Sequence, residues 1–343
     1  MGGRLARGRL ARGPLARGPL ALASAFIAAL TFSGAAAAQD TLRFGKIPST
    51  LRSVGSLYLF IAEQKGFFAR ERIAIQSVVI DGGTDRMVAA LDAGTIDITH
   101  SSTPYLISAA LAGSDAVAIA GEVGNPVYSL IVRPEITSYA DLKGKTIGLS
   151  IGADTISITT RKLLAKHGLR ETDYQSKELV GTPVRFECLK RGECAGVPLG
   201  QPNDLTAVKD GFRRLGDSTE AVSAFQFQVI AVRRAFAAAN KDKVVRFVRA
   251  IADAFRFIRA PENRAEVIKA IVEQTGSSEE IARAVMGLYL DPDRGTMPRQ
   301  AEIDLKAVAQ VIAFMGEAGT LKVPLPPAER FVDLQYLRAA GVE

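Results

Sequence analysis

From Thr41 onward, short apolar runs and amphipathic stretches take turns along the chain. TLRFGKI, Thr41–Ile47, alternates apolar and polar positions and predicts a strand. PSTLRSVGS breaks it. LYLFIAEQKG then predicts a helix, with Leu57, Phe60 and Ile61 on one face and Gly66 past its end. IAIQSVVI is rich in β-branched residues and predicts a second strand. TDRMVAALDAG predicts a helix with Thr84 or Asp85 as N-cap and Gly94 as its stop. TIDITH, a helix opened by Pro104, and AVAIAGEV complete the unit. Strands and helices alternating over short turns predict a parallel sheet covered by helices.

A second α/β unit opens at YSLIVRPE. SYADLKGKTIGLS predicts a helical turn and a strand, and DTISITTRKLLAKHG a helix with Leu163 and Leu164 inward. A helix over PVRFECLKRGE, a strand over CAGVPLG, a helix over NDLTAVKDGF and a strand over FQFQVIAVRR follow. After Asn240 the pattern is helical. Val244, Val245, Val248, Ile251 and Phe255 recur at helical spacing before Pro261, and further helices are expected from Ala265, Ser278 and Ala301. No long linker divides the units. The joint is expected to be two paired crossing strands near Glu122–Ser129 and Phe225–Ala231, which make a hinge rather than a tether. This gives two lobes with parallel-rich sheets: residues 39–125 plus 232–343, and residues 126–231.

The first 38 residues differ from the rest. Five arginines spaced by Gly, Leu, Ala and Pro precede the apolar LALASAFIAALTF and the small-residue run SGAAAAQD. A basic start, a short apolar core and an Ala-x-Ala end describe a secretory signal cleaved near Ala38. The apolar core is short for a membrane span, which needs about 20 residues; an uncleaved anchor is the alternative. Removing the five leader arginines takes the formal charge from +7 to +2, which is no nucleic-acid footprint. The expected location is therefore periplasmic. Two cysteines remain, in ECLKRGEC. In an oxidising compartment Cys188 and Cys194 are candidates to pair; two separate buried thiols are the alternative.

Ligands of open α/β sheets bind at the carboxyl ends of the strands. Those ends are chemically alike here. They hold Pro48 to Ser56 after the first strand, Gly82–Asp85 after the second, Ser101–Thr103 after the third and Gly124–Asn125 after the fourth. In the second unit they hold Ser150–Thr155 and Gly200–Pro202. Several precede helices, whose first N–H groups suit a carboxylate, sulfonate or phosphate. Turn chemistry alone would use the same residue types. Six such ends in two units point to two walls of one cleft. Asn125 belongs to this set. Arg52 could grip an anion with two parallel bonds or be a solvated loop arginine. Tyr58 is either a core aromatic or a stacking wall. His100 either lines the site or is buried at a strand end.

GSLYLFIAEQKGFFARERIAIQSVVIDGGTDRMVAALDAGTIDIT resembles the opening of the nitrate/sulfonate/taurine-type solute-binding proteins of ABC importers. DLKGKTIGLS with GADT, and LKRGECAGVPLGQP, resemble the second-domain segments of that family. The resemblance spans about residues 41 to 260 and implies a type II periplasmic binding protein fold. It places ligand contacts on Ser56, Tyr58, Gly83, Thr84, Ser102, Thr103, Ser150, Thr155 and Gln201. The cysteine pair and the absence of Trp depart from the family pattern.

The expected function is capture of a small polar or anionic organic molecule and its delivery to an ABC permease and its ATPase. The protein is expected to be a monomer with no cofactor and no metal, meeting the membrane only through the permease and binding no nucleic acid. Two histidines and two cysteines assemble no metal cluster at these spacings, and GGTDRMVAALDAG lacks the Gly-Lys-Ser/Thr ending of a phosphate loop. An enzyme on the same fold, such as a pyrimidine-precursor synthase, and a sensor for a receptor kinase are the rival readings.

Overall fold

The computed structural model describes residues 39–342 apart from 153, 223, 293 and 295. The secretory signal and its cleavage point lie outside the described residues. The chain builds β1 (Asp40–Lys46), β2 (Ile73–Val79), β3 (Ile98–Ser102) and β4 (Ala116–Val123) with helices between them. It then passes into a second sheet of β5 (Ser129–Val132), β6 (Thr146–Leu149), β7 (Gln175–Glu178), β8 (Gly196–Leu199) and β9 (Arg213–Asp217). It returns with β10 (Gln228–Arg233), and helices complete the chain.

The first sheet runs β2, β1, β3, β10, β4, and the second β7, β6, β8, β5, β9. Each is mixed. β1 is parallel to β2 and β3, while β10 is antiparallel to β3 and β4. In the second sheet β6 is parallel to β7 and β8, while β5 is antiparallel to β8 and β9. In both cases the antiparallel strand is the one that enters from the other sheet. The return joins the first sheet at Gln228 rather than at residue 232, and all of β10 belongs to that sheet.

The core of the first sheet continues into the C-terminal helices. In the helix Lys241–Arg259, the apolar positions Val244, Val245, Val248, Ile251 and Phe255 are all buried, as the helical spacing requires. Phe247 joins them and stacks on Phe44 and Phe68, with ring centres 6.1 and 5.8 Å away. Every residue of β4 is buried, because helices cover both of its faces.

Three features depart from the pattern reading. β7 is exposed along its whole length and β9 at its first two residues; neither carries an apolar alternation, and both are held by backbone pairing at the edges of their sheet. The helix expected from Ala301 begins at Leu305 under an Asp304 cap. Ala301 instead takes a left-handed φ of 71°, and its carbonyl accepts the Gly121 N–H at 2.8 Å. This segment lies so close to β4 that a Cβ on Gly121 would stand 2.1 Å from the Glu302 carbonyl oxygen.

Cys188, in the helix Thr182–Lys190, and Cys194, just before β8, form a disulfide with Cα atoms 5.4 Å apart. Both are buried among Ile131, Phe186, Leu189, Val197 and Leu199. The bridge fastens this helix to β8. Alkylation of the denatured, unreduced protein should find no free thiol. The Cys188→Ser/Cys194→Ser double variant should lose about 2 kcal/mol in chemical denaturation, the loop-closure value for so short a ring. Two free thiols in the parent protein would contradict the pairing.

Candidate functional site

A cleft of about 330 Å³ opens between the carboxyl ends of the two sheets. That is near the lower end of small-molecule sites, which run from roughly 300 to 1,000 Å³. The turn after β1 contributes Ser49, Thr50, Arg52 and Ser56; the turn after β2 contributes Gly83 and Thr84; the end of β3 contributes Ser102. From the second sheet come Ser150 and Asp154 after β6, Thr182 and Arg185 from the helix Thr182–Lys190, and Gln201 after β8. Tyr128, Phe227 and Tyr289 form an aromatic side; Tyr128 and Phe227 meet edge to face with centres 5.6 Å apart.

Of the residues singled out from sequence, Arg52, Ser56, Gly83, Thr84, Ser102, Ser150 and Gln201 line this cleft. Four do not. Tyr58 is fully buried, stacks on Phe255 at 4.9 Å and donates its hydroxyl to Glu122 Oε1 at 3.2 Å, so it is a core aromatic. Thr103 donates to the Phe227 carbonyl. Asn125 donates its side-chain N–H to the Arg294 carbonyl at 2.8 Å. Thr155 lies one layer behind the wall. Its hydroxyl pairs with that of Ser102 at 3.0 Å and donates to the Phe227 carbonyl. His100 is buried behind Thr50, with Nδ1 3.1 Å from Glu122 Oε1.

Arg52 is exposed at the mouth of the cleft. The cation on the inner wall is Arg185, 1% exposed. Its Nε donates to the Pro198 carbonyl at 2.8 Å, Nη1 to the Leu179 carbonyl at 3.1 Å and Nη2 to Thr182 Oγ1 at 3.1 Å. A guanidinium has five N–H groups, so one on each terminal nitrogen remains. Among the described residues no carboxylate pairs with it, and burial holds its pKa below the ordinary arginine value. No pattern marks Arg185 in the sequence; only the packing of its helix on β8 brings it inside.

Asp154, 6% exposed, caps the helix Thr155–Lys166 by accepting the Ser157 N–H at 2.8 Å, and it also accepts the Ser150 hydroxyl. Burial raises its pKa, against the pull of those two donors and of Arg185. Tyr128, pushed up to about 12 by burial, is a neutral hydroxyl in ordinary buffers. Gln201, 5% exposed, donates its Nε2 to Asp204 Oδ2 at 2.9 Å, and its Oε1 has no partner among the described residues. The walls thus offer a buried cation, a buried carboxylate, an amide oxygen and several hydroxyls around aromatic surface. This suits recognition of a compact polar molecule.

The NMT1/THI5 like family model matches residues 55–265, more than half of the chain. The chain belongs to the NMT1/THI5 like family. Its fold is that of the periplasmic binding proteins. The alkanesulfonate-binding protein SsuA from Xanthomonas axonopodis pv. citri, bound to MOPS, is similar at a TM-score of 0.68 and 20% identity, over 86% of this chain and 99% of that one. The periplasmic nitrate-binding protein NrtA from Synechocystis PCC 6803 is similar at a TM-score of 0.72 and 15% identity, over 88% of each chain. The ligand-binding component of an ABC-type import system from Staphylococcus aureus reaches a TM-score of 0.74 at 14% identity, over 88% of this chain and 99% of that one. No curated protein sequence matches the chain.

The Asp154 shift has a measurable sign. A carboxyl whose folded pKa lies above its unfolded value contributes stability below the unfolded pKa, here 3.8, and that contribution is lost as pH rises through the folded pKa. Asp154→Asn keeps a capping side chain but cannot titrate. Relative to the parent, the variant should therefore gain thermal stability as pH is raised from about 3.8 towards neutrality. A stability difference that is flat or falls with pH would show that Asp154 does not titrate in this way.

Proposed function

We propose that the chain is an exported solute-binding protein of an ABC importer. It captures a small polar or anionic organic molecule, of sulfonate, carboxylate, nitrate-like or pyrimidine-like chemistry, between two lobes. One lobe would be built on the first sheet, β10 included, and the other on the second sheet. It then hands the molecule to an ABC permease and its ATPase. The hinge would lie at the two crossings, and a ligand touching both lobes would shift the balance towards closure.

The single observation that carries the anionic ligand is Arg185. Burying a guanidinium with no carboxylate in hydrogen-bond contact is unfavourable; Asp154 attracts it, but burial pushes Asp154 itself towards its neutral form, and Arg185 lies at a cleft wall with two N–H groups to spare. An anionic head group would supply a direct ionic partner through charge-assisted hydrogen bonds. The similarity to sulfonate- and nitrate-binding proteins supports the same class.

A thermal-shift screen of alkanesulfonates, carboxylates, nitrate and pyrimidines should find at least one stabilising anion. With the tightest of these, Arg185→Met should weaken binding about 10- to 100-fold, the value of a hydrogen bond of about 1.5–3 kcal/mol to a charged group. Arg185→Lys should restore part of it, since an ammonium lacks the planar fork. Arg52→Ala, at the exposed mouth, should change affinity by no more than about twofold. Full affinity in a folded Arg185→Met variant, by calorimetry, would move the anchor to the first N–H groups of the helix Thr84–Asp92.

A further inference from the structure

Gln201 is a cleft residue whose hydrogen-bonding sense is fixed from behind. Its amide has a donor end and an acceptor end, and Asp204 determines which faces which way. Asp204 is fully buried and is met by four donors. The Leu205 N–H donates to Oδ1 at 2.7 Å, and the Ser129 hydroxyl and the Arg214 guanidinium donate to Oδ2 at 2.7 and 3.2 Å. The Leu205 N–H and Arg214 can only donate, so Asp204 accepts from both. With Asp204 ionised beside Arg214, Gln201 turns its NH₂ group towards it, at 2.9 Å. The amide oxygen is left as the other end. It is buried, it is without a donor among the described residues, and its side chain lines the cleft. Buried acceptors of this kind are nearly always satisfied in folded proteins, by protein, water or ligand.

Arg185 and Gln201 share one frame. The Arg185 Nε is bonded to the carbonyl of Pro198 in β8, and Gln201 follows the end of that strand. The disulfide fastens the helix of Arg185 to the same strand. One rigid wall therefore presents a cation with spare N–H groups and an oriented acceptor.

We infer that the cleft selects molecules carrying an N–H or O–H donor in addition to an anionic group, and that the Gln201 amide oxygen, oriented by Asp204, accepts that donor. This rests on the anion-capture reading above and adds the second recognition element. Gln201 is the specificity residue and Asp204 its positioning residue. A site built to hydrogen-bond a polar group rejects the analogue that lacks it, because its own buried group is then unpaired.

The test is calorimetry on the purified protein with alkanesulfonates and alkanecarboxylates of two to six carbons, each beside its ω-amino and ω-hydroxy derivatives. At one chain length or more, a derivative should bind roughly tenfold or more tighter than its parent anion. The amine and hydroxyl arms separate the two kinds of donor. Gln201→Met should bring that ratio close to one. Gln201→Asn, which withdraws the amide by one methylene, serves if the Met variant does not fold. Asp204→Asn, able to donate to Gln201 and release its orientation, should shrink the ratio too. Parent anions that bind as tightly as both derivatives at every length, or a preference that survives in Gln201→Met, would overturn the inference and leave anion capture standing. If no anion of the panel binds, the anion-capture reading falls and this inference with it.

Discussion

Among the described residues the chain passes between its two sheets twice, and those two passages are laced together. The Phe227 N–H donates to the Gly124 carbonyl at 2.9 Å, and the Ser218 N–H to the Tyr128 carbonyl at 2.9 Å. The Ser218 hydroxyl donates to the Pro126 carbonyl at 2.6 Å and accepts the Tyr128 N–H at 3.0 Å. The Phe227 carbonyl then gathers the hydroxyls of Thr103, from the first sheet's side, and Thr155, from the second's. Buried backbone groups in a crossing have no ladder to join, so each needs a partner of this kind. With the passages fixed, the carboxyl ends of both sets of strands line one cleft, and the small polar residues at those ends become its walls.

Within that frame the second sheet's wall carries the strongest chemistry. Arg185 and Asp154 are both buried ionisable groups, and burial works against the charged form of each. Neither is what stability alone would choose; apolar residues of similar volume at buried charged positions often cost nothing or stabilise. Their surroundings offset part of the penalty. Arg185 has two carbonyls and a threonine hydroxyl, and Asp154 has a serine hydroxyl and a helix N–H. The disulfide and the Arg185–Pro198 bond tie the same helix to β8, so the guanidinium is held where it stands.

How much of this could be read along the chain depends on which physical signal each part leaves. Elements with one buried face leave a periodicity. The helix Lys241–Arg259 and strands β1 to β4 were therefore legible, down to the inward residues Val244, Val248 and Phe255. Turns at strand ends leave a residue-type signature, and seven of the eleven ligand candidates do line the cleft. An exposed polar strand leaves neither signal, which is why β7, with four exposed residues, has no trace in the pattern. Tyr58 has the same local appearance whether it stacks in a core or walls a site. Its partner Glu122 lies 64 residues away, so only the packed chain separates the two.

The sequence by itself determined the alternation of strands and helices, the family, and the two sets of polar strand ends, because all of these are local or nearly local properties of the chain. The tertiary structure alone decided which polar residues face inward and with what sense. Arg185 is an ordinary helical arginine until its helix settles on β8, and the Gln201 amide has no preferred direction until Asp204, Ser129 and Arg214 meet beside it. The physical reason is that charge burial and hydrogen-bond direction depend on neighbours brought together from distant parts of the chain, which no spacing within a single segment records.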